Sequence, residues 1–254
     1  MNVIPDDSPS SSLERLGDAR ALTDRAAELV IAAATTTIAA AGRFTLALSG
    51  GSTPRALYAR LAEPAQATRM DWGRVHLFWG DERCVPPTDG SSNYRMANEA
   101  LLSKVPIPPA NVHRIHGEDE PRAAANAYET LLRSCFAGAA TFDLVLLGMG
   151  SNGHTASLFP GLTALDETER WVAAELVPEV GMWRVTLTAP AINAAARVLF
   201  LVAGRDKAAT LRDVLSGPRD PRRLPAQLIS PSPGRLTWLV DEAAAAELGG
   251  AGSR

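Results

Sequence analysis

The chain has 254 residues, 46% hydrophobic and 21% charged, a globular composition that excludes a disordered, collagen-like or membrane-spanning chain. A formal net charge of −3 shows no basic patch of the kind that nucleic-acid binding needs. Two cysteines without CxxC spacing, Cys84 and Cys135, and an amino terminus unlike a secretory signal point to a reducing, cytoplasmic setting.

In chain order, residues 1–11 read as a flexible polar tail. Ser12 to Leu16 predicts a short strand. Asp18 caps a helix over Ala19–Ala41, which Gly42 stops. The apolar run Phe44–Leu48 predicts a strand, followed by SGGSTP and a helix opened by Pro54. Val75–Trp79 predicts a strand, then a long loop, GDERCVPPTDGSSN, then a helix over Tyr94–Leu102. Val112–Ile115, Phe142–Leu147, Trp171–Leu176, Arg184–Thr188, Val198–Val202 and Leu236–Val240 read as further strands. Pro121–Cys135, Pro190–Ala195 and Arg205–Leu215 read as helices. Short apolar strands alternating with helices predict an α/β fold: a single doubly wound, mainly parallel sheet with helices on both faces, over residues 12–248. Residues 249–254 read as a second flexible tail. Ligands of such sheets sit beyond the carboxyl ends of the strands, so the loops at those ends are where chemistry is sought.

Four such loops carry it. In Ser49-Gly50-Gly51-Ser52-Thr53, between a strand and a helix start, the glycines admit close backbone approach. The helix start offers unpaired N–H groups to a phosphate. No GK[ST] follows, so this is not a Walker loop, and a capped tight turn is the plainer alternative. Gly148-Met149-Gly150-Ser151-Asn152-Gly153 matches GxGxxG. His154 follows at once and Pro160-Gly161 halts any long helix, which opposes a dinucleotide site. His154 itself, on a glycine-rich loop after a buried strand, is a candidate general base. The other histidines, His76, His113 and His116, read as structural, and no metal-ligand spacing is present. In the third loop Asp81 and Glu82 suit substrate hydroxyls and Arg83 suits a phosphate or carboxylate, against the plainer reading of a solvated charge cluster. In the fourth, Lys207 follows Gly204 in a first helical turn, where a cation opposes the helix dipole unless an anion binds. It is one of only two lysines, the other being Lys104.

The segments LALSGGSTP, FWGDERCVP, SSNYRMANEALL, FDLVLLGMGSNGHTASLFPG, RVTLTAPAIN and FLVAGRDKA, in this order, resemble the 6-phosphogluconolactonase family, within the superfamily it shares with glucosamine-6-phosphate isomerases. The resemblance runs from about residue 12 to residue 241. It implies a modified Rossmann-like fold and hydrolysis of 6-phospho-D-glucono-1,5-lactone, without cofactor or metal. It makes His154 the base that takes a proton from water attacking C1. Ser49, Gly50, Gly51, Ser52 and Thr53 would hold the 6-phosphate or nearby hydroxyls, helped by Lys207 and Arg184. Arg83 would stabilise negative charge and Asp81 would place hydroxyls. The implied partner is a small sugar-phosphate lactone, with neither nucleic acid nor membrane, and a monomer or homodimer is expected. The family reads GxGxDGH, where this chain has Asn152, which is placed with the substrate-binding residues; an Asn oxygen can accept from the imidazole but adds no charge. Two rival functions are a glucosamine-6-phosphate deaminase, whose motif looks like DGHIAFNEP where this chain has NGHTASLFP, and a non-catalytic sugar-phosphate sensor. The role of the basic loop Arg219–Arg223 is left open between surface solvation and a lid.

Overall fold

The computed structural model describes residues 11–139 and 141–249. The first ten residues and the last five, read above as tails, lie outside them; Ser11 opens the first strand.

The elements are β1 (Ser11–Leu16), α1 (Ala19–Ala41), β2 (Phe44–Leu48), α2 (Ser52–Leu61), α3 (Pro64–Ala67), β3 (Val75–Trp79), β4 (Asp81–Arg83), α4 (Asn93–Ala100) and β5 (Val112–His113). There follow α5 (Pro121–Cys135), β6 (Leu144–Leu147), β7 (Val172–Val177), β8 (Met182–Leu187), α6 (Ala189–Asn193), β9 (Arg197–Val202), α7 (Ala208–Ser216) and β10 (Arg235–Asp241). Helix α1 starts and stops where the sequence places its caps. The Asp18 carboxylate accepts the Ala21 N–H at 2.7 Å, and Gly42, at φ 77°, donates its N–H to Ile38 O at 2.9 Å.

Seven strands form one parallel sheet in the order β1-β10-β9-β6-β2-β3-β5. Every residue of β2 and of β6 is buried. Because successive side chains point to opposite faces, both faces of the sheet centre are covered. Neighbours β2 and β6 lead in opposite directions, β2 on to β3 on one side and β6 on to β9 on the other. The reversal opens a crevice at their carboxyl ends, where the chain carries its two glycine-rich loops, 49–53 and 148–154.

The α/β class with a mainly parallel sheet stands. The sequence reading did not foresee a second sheet. Strand β8 pairs antiparallel with β7 on one side and, on the other, with β4, which was read as part of a long loop. Gly80 joins the two sheets: its N–H bonds Leu48 O of β2 at 2.8 Å, while its own carbonyl accepts the Leu187 N–H of β8 at 2.8 Å. Among the described residues no helix is long and apolar enough to cross a membrane.

Candidate active site

A crevice of about 660 Å³ opens at the switch between β2 and β6. Eleven of the residues singled out from the sequence line it, Ser49, Gly50, Gly51, Ser52, Thr53, Asp81, Arg83, Asn152, His154, Arg184 and Lys207, and Glu82 does not.

Two buried tyrosines behind the crevice hold the strand ends. Tyr58 on α2 accepts the Ser49 N–H and donates to Ser49 O, both at 2.8 Å. Tyr128 on α5 does the same to Trp79, at 2.8 and 3.0 Å. Each phenol satisfies both backbone groups of the residue at or just past a strand end and so fixes where the loop departs. Gly51, at φ 105°, makes the turn into α2, whose N-terminus has no side-chain cap. Its free N–H groups therefore remain available to an anion.

Strand β4 sorts its charges by period two. Asp81 and Arg83 line the crevice; Glu82 faces away, into the start of α4. There the Glu82 carboxylate accepts the N–H groups of Arg83, Asn93 and Tyr94 at 2.8, 2.7 and 2.7 Å, and the Ser92 hydroxyl at 3.0 Å. Burial pushes its pKa up against these donors. Glu82 thus anchors a helix, and the reading that gave it a substrate hydroxyl is corrected. Asp81 is buried and takes the Asn93 amide at 3.1 Å on one oxygen and the Ser157 hydroxyl at 2.7 Å on the other. Asn93 also donates to Asp81 O at 2.9 Å, and a Cβ on Gly50 would lie 2.2 Å from its Oδ1. Gly50 is thus required by Asn93 as well as by close approach of a ligand. Sequence reading missed Asn93, Ser157 and the two tyrosines.

Arg83 and Arg184 face each other in register across β4 and β8. Arg83 donates to Ser91 O. Among the described residues neither guanidinium pairs with a carboxylate, and the Nε of each is buried without a hydrogen-bond partner. Burial, then repulsion from Arg83, lowers the pKa of Arg184. Two cations on neighbouring strands lacking a counter-charge suit an anionic ligand. Lys207 closes a short 3₁₀ turn, Arg205–Lys207, ahead of α7, and pairs at 2.9 Å with the exposed Asp206.

The Gly148–His154 loop is shaped around its histidine. A Cβ on Gly150 would come within 2.1 Å of His154 Nδ1, so only glycine fits there. Asn152 Oδ1 accepts the His154 backbone N–H at 3.2 Å and lies 2.6 Å from Nδ1. An oxygen facing that N–H fixes the amide orientation, so Nδ1 carries the ring proton and Nε2 holds the free lone pair. Phe159 stacks on the ring with centroids 4.1 Å apart. Burial lowers the His154 pKa to about 4, with Arg184, Lys207 and Arg83 acting in the same direction and Asp81 opposing. The imidazole is therefore neutral at neutral pH. The segment that follows the basic loop buttresses Gly153: Ala226 N–H bonds Gly153 O at 2.9 Å, and Leu224 packs against Gly153. The loop's arginines are spent on Gln227 O, Asp166, Asp213 and Asp220. His76 and His113 lie outside the crevice and hydrogen-bond each other at 3.1 Å.

Residues 17–238 match the family described as glucosamine-6-phosphate isomerases/6-phosphogluconolactonase. A 6-phosphogluconolactonase of Nostoc sp. is 42% identical over 93% of this chain and 98% of its own. The fold superposes on the 6-phosphogluconolactonase of Trypanosoma brucei with TM-score 0.86 at 29% identity, over 95% of this chain and 100% of that one. The Thermotoga maritima 6-phosphogluconolactonase gives 0.80 at 31% identity, over 91% and 100%.

Proposed function

The chain belongs to the family of glucosamine-6-phosphate isomerases and 6-phosphogluconolactonases, and on that footing we propose that it hydrolyses 6-phospho-D-glucono-1,5-lactone to 6-phospho-D-gluconate, the second step of the oxidative pentose phosphate pathway. The observation that carries the mechanism is a neutral imidazole with a free Nε2 in the same crevice as two guanidiniums without counter-charges. His154 Nε2 takes a proton from water as the water oxygen bonds to C1. The ring C1–O bond then breaks, and the same proton passes to the departing ring oxygen, which becomes a hydroxyl. A lactone is an activated ester, so one placed base and charge stabilisation at the carbonyl oxygen suffice without a covalent nucleophile.

The phosphate end is held apart from the reacting carbon. The N-terminus of α2 with Ser52 and Thr53, together with Lys207 and Arg184, supplies donors and charge for a dianion. Its binding orients the ring over His154. Arg83 steadies the developing oxyanion, and Asp81, held by Asn93 and Ser157, accepts from sugar hydroxyls.

The test is lactone hydrolysis above the spontaneous rate. His154→Ala is expected to lower kcat by about 10²–10⁴-fold. Lys207→Ala is expected mainly to raise KM, by about 10–100-fold for one charge-assisted contact. Turnover of His154→Ala at the wild-type rate removes the base from the mechanism. Ammonia release from glucosamine-6-phosphate would favour the deaminase reading instead.

A further inference from the structure

Phe159 is buried, yet it stands outside the contiguous apolar cluster that makes up the core. A buried aromatic ordinarily earns its place by core packing. This one spends its face on a single polar partner: its ring lies over the His154 imidazole, 17° from parallel, and forms part of the crevice wall. The opposite constraint comes from Asn152, which holds the imidazole in its own plane through Nδ1.

We propose that Phe159 is a positioning residue for the hydrolysis: its ring clamps one face of His154 and keeps water off it, so that the imidazole is presented neutral and in one orientation, with Nε2 toward the substrate. The inference rests on the reading of His154 as general base. It adds that this base is tuned by an apolar wall rather than by a carboxylate on Nδ1.

The physical argument turns on two opposed effects. An imidazolium loses hydration against a phenyl face, which favours the neutral ring; the same face attracts a cation, which favours the charged one. The charged groups acting on His154 are Asp81 and Arg83 from β4, Arg184 from β8 and Lys207 ahead of α7. Asp81 favours the imidazolium and the three cations disfavour it; burial is the largest single influence, and the net direction is downward. Phe159 supplies part of that burial and carries no charge, so replacing it changes solvation without changing the Coulomb balance.

The experiment titrates the His154 imidazole by NMR in the full-length protein, its signal assigned by loss in His154→Ala, alongside the pH profile of kcat/KM for the lactone. In Phe159→Ala, water reaches the ring face and the midpoint rises by about one pH unit or more toward the ordinary imidazole value. Phe159→Leu, which keeps apolar bulk and guards against a folding defect in the first variant, gives a smaller rise in the same direction. A midpoint that stays put or falls in both variants overturns the proposal, the latter because cation attraction then outweighs shielding. A midpoint that rises while the acidic limb of kcat/KM does not follow supports the role of Phe159 and rejects His154 as the base. A midpoint and a limb that rise together support both.

Discussion

Asn152 Oδ1 meets two hydrogen-bond donors of one residue, the backbone N–H of His154 at 3.2 Å and its ring Nδ1 at 2.6 Å. The amide thereby settles both the ring's orientation and its tautomer, and it does so without charge. Asn152→Asp keeps the acceptor and adds a negative charge beside the ring, which favours the imidazolium. The acidic limb of kcat/KM is expected to move to higher pH by about one to two units. A profile coincident with wild type would show that the contact exerts no pull on the imidazole.

The stability of the unmodified protein depends on pH through its imidazoles. Burial holds the His154 imidazole down at about 4 in the fold, against about 6.5 in an unfolded chain. Between those values the unfolded state binds a proton that the folded state refuses. The corresponding stability is complete above about pH 6.5 and is lost as pH falls toward 4. His76 and His113 act in the same direction, since burial lowers both pKa values, helped by Arg43 and His76 respectively. The melting temperature should fall between pH 7 and pH 5, before most carboxylates titrate. His154→Gln should flatten part of that slope. With His154 as the proposed base, activity by contrast should hold to well below pH 6, because the folded imidazole is still neutral there.

Two glycines of one loop make opposite predictions. A Cβ at Gly150 would lie 2.1 Å from His154 Nδ1 and 3.0 Å from Asn152 Oδ1, whereas one at Gly148 meets nothing within 4 Å. Gly150→Ala must displace the His154 ring, and for the proposed base a misplacement of this kind costs about 100-fold in rate. Gly148→Ala should keep activity within a few-fold. Paired measurement of kcat and melting temperature separates a displaced ring from an unfolded chain. Equal activity in the two variants would mean that the ring tolerates the shift.

The legible part of the site is the part that punctuates strands. Ser49-Gly50-Gly51 and the Gly148–Gly153 run end apolar segments, and a parallel sheet puts such ends on one edge, so both loops and His154 could be read from the chain. Strand β4 could not: three charged residues, Asp81–Arg83, carry no apolar alternation, and only pairing with β8 makes them extended. The split between crevice-facing Asp81 and helix-facing Glu82 followed from that pairing. Asn93 and Ser157 were invisible for another reason. They reach Asp81 from 12 and 76 residues away, and Tyr128 reaches Trp79 from 49. Such side-chain contacts leave no local periodicity. Asp18 and Gly42, whose caps act within four residues, were legible.

Glu82 offers the sharpest test of that division between scaffold and chemistry. Its carboxylate gathers the N–H groups of Asn93 and Tyr94 and the Ser92 hydroxyl at the start of α4, and the N–H of Arg83 on its own strand. Glu82→Gln retains one acceptor oxygen and turns an NH₂ toward donors, so at least one buried N–H loses its partner. The expected cost is about 2–3 kcal/mol, seen as a melting temperature lower by roughly 5–10 °C for a chain of this size. The effect should also reach the crevice: Asn93, whose N–H Glu82 holds, is one of the two residues that fasten Asp81, with Ser157. Turnover should therefore fall, while the acidic limb set by His154 moves far less than in Asn152→Asp. If the variant instead keeps wild-type stability and loses only turnover, Glu82 belongs with the reacting groups, and the partition along β4 is wrong.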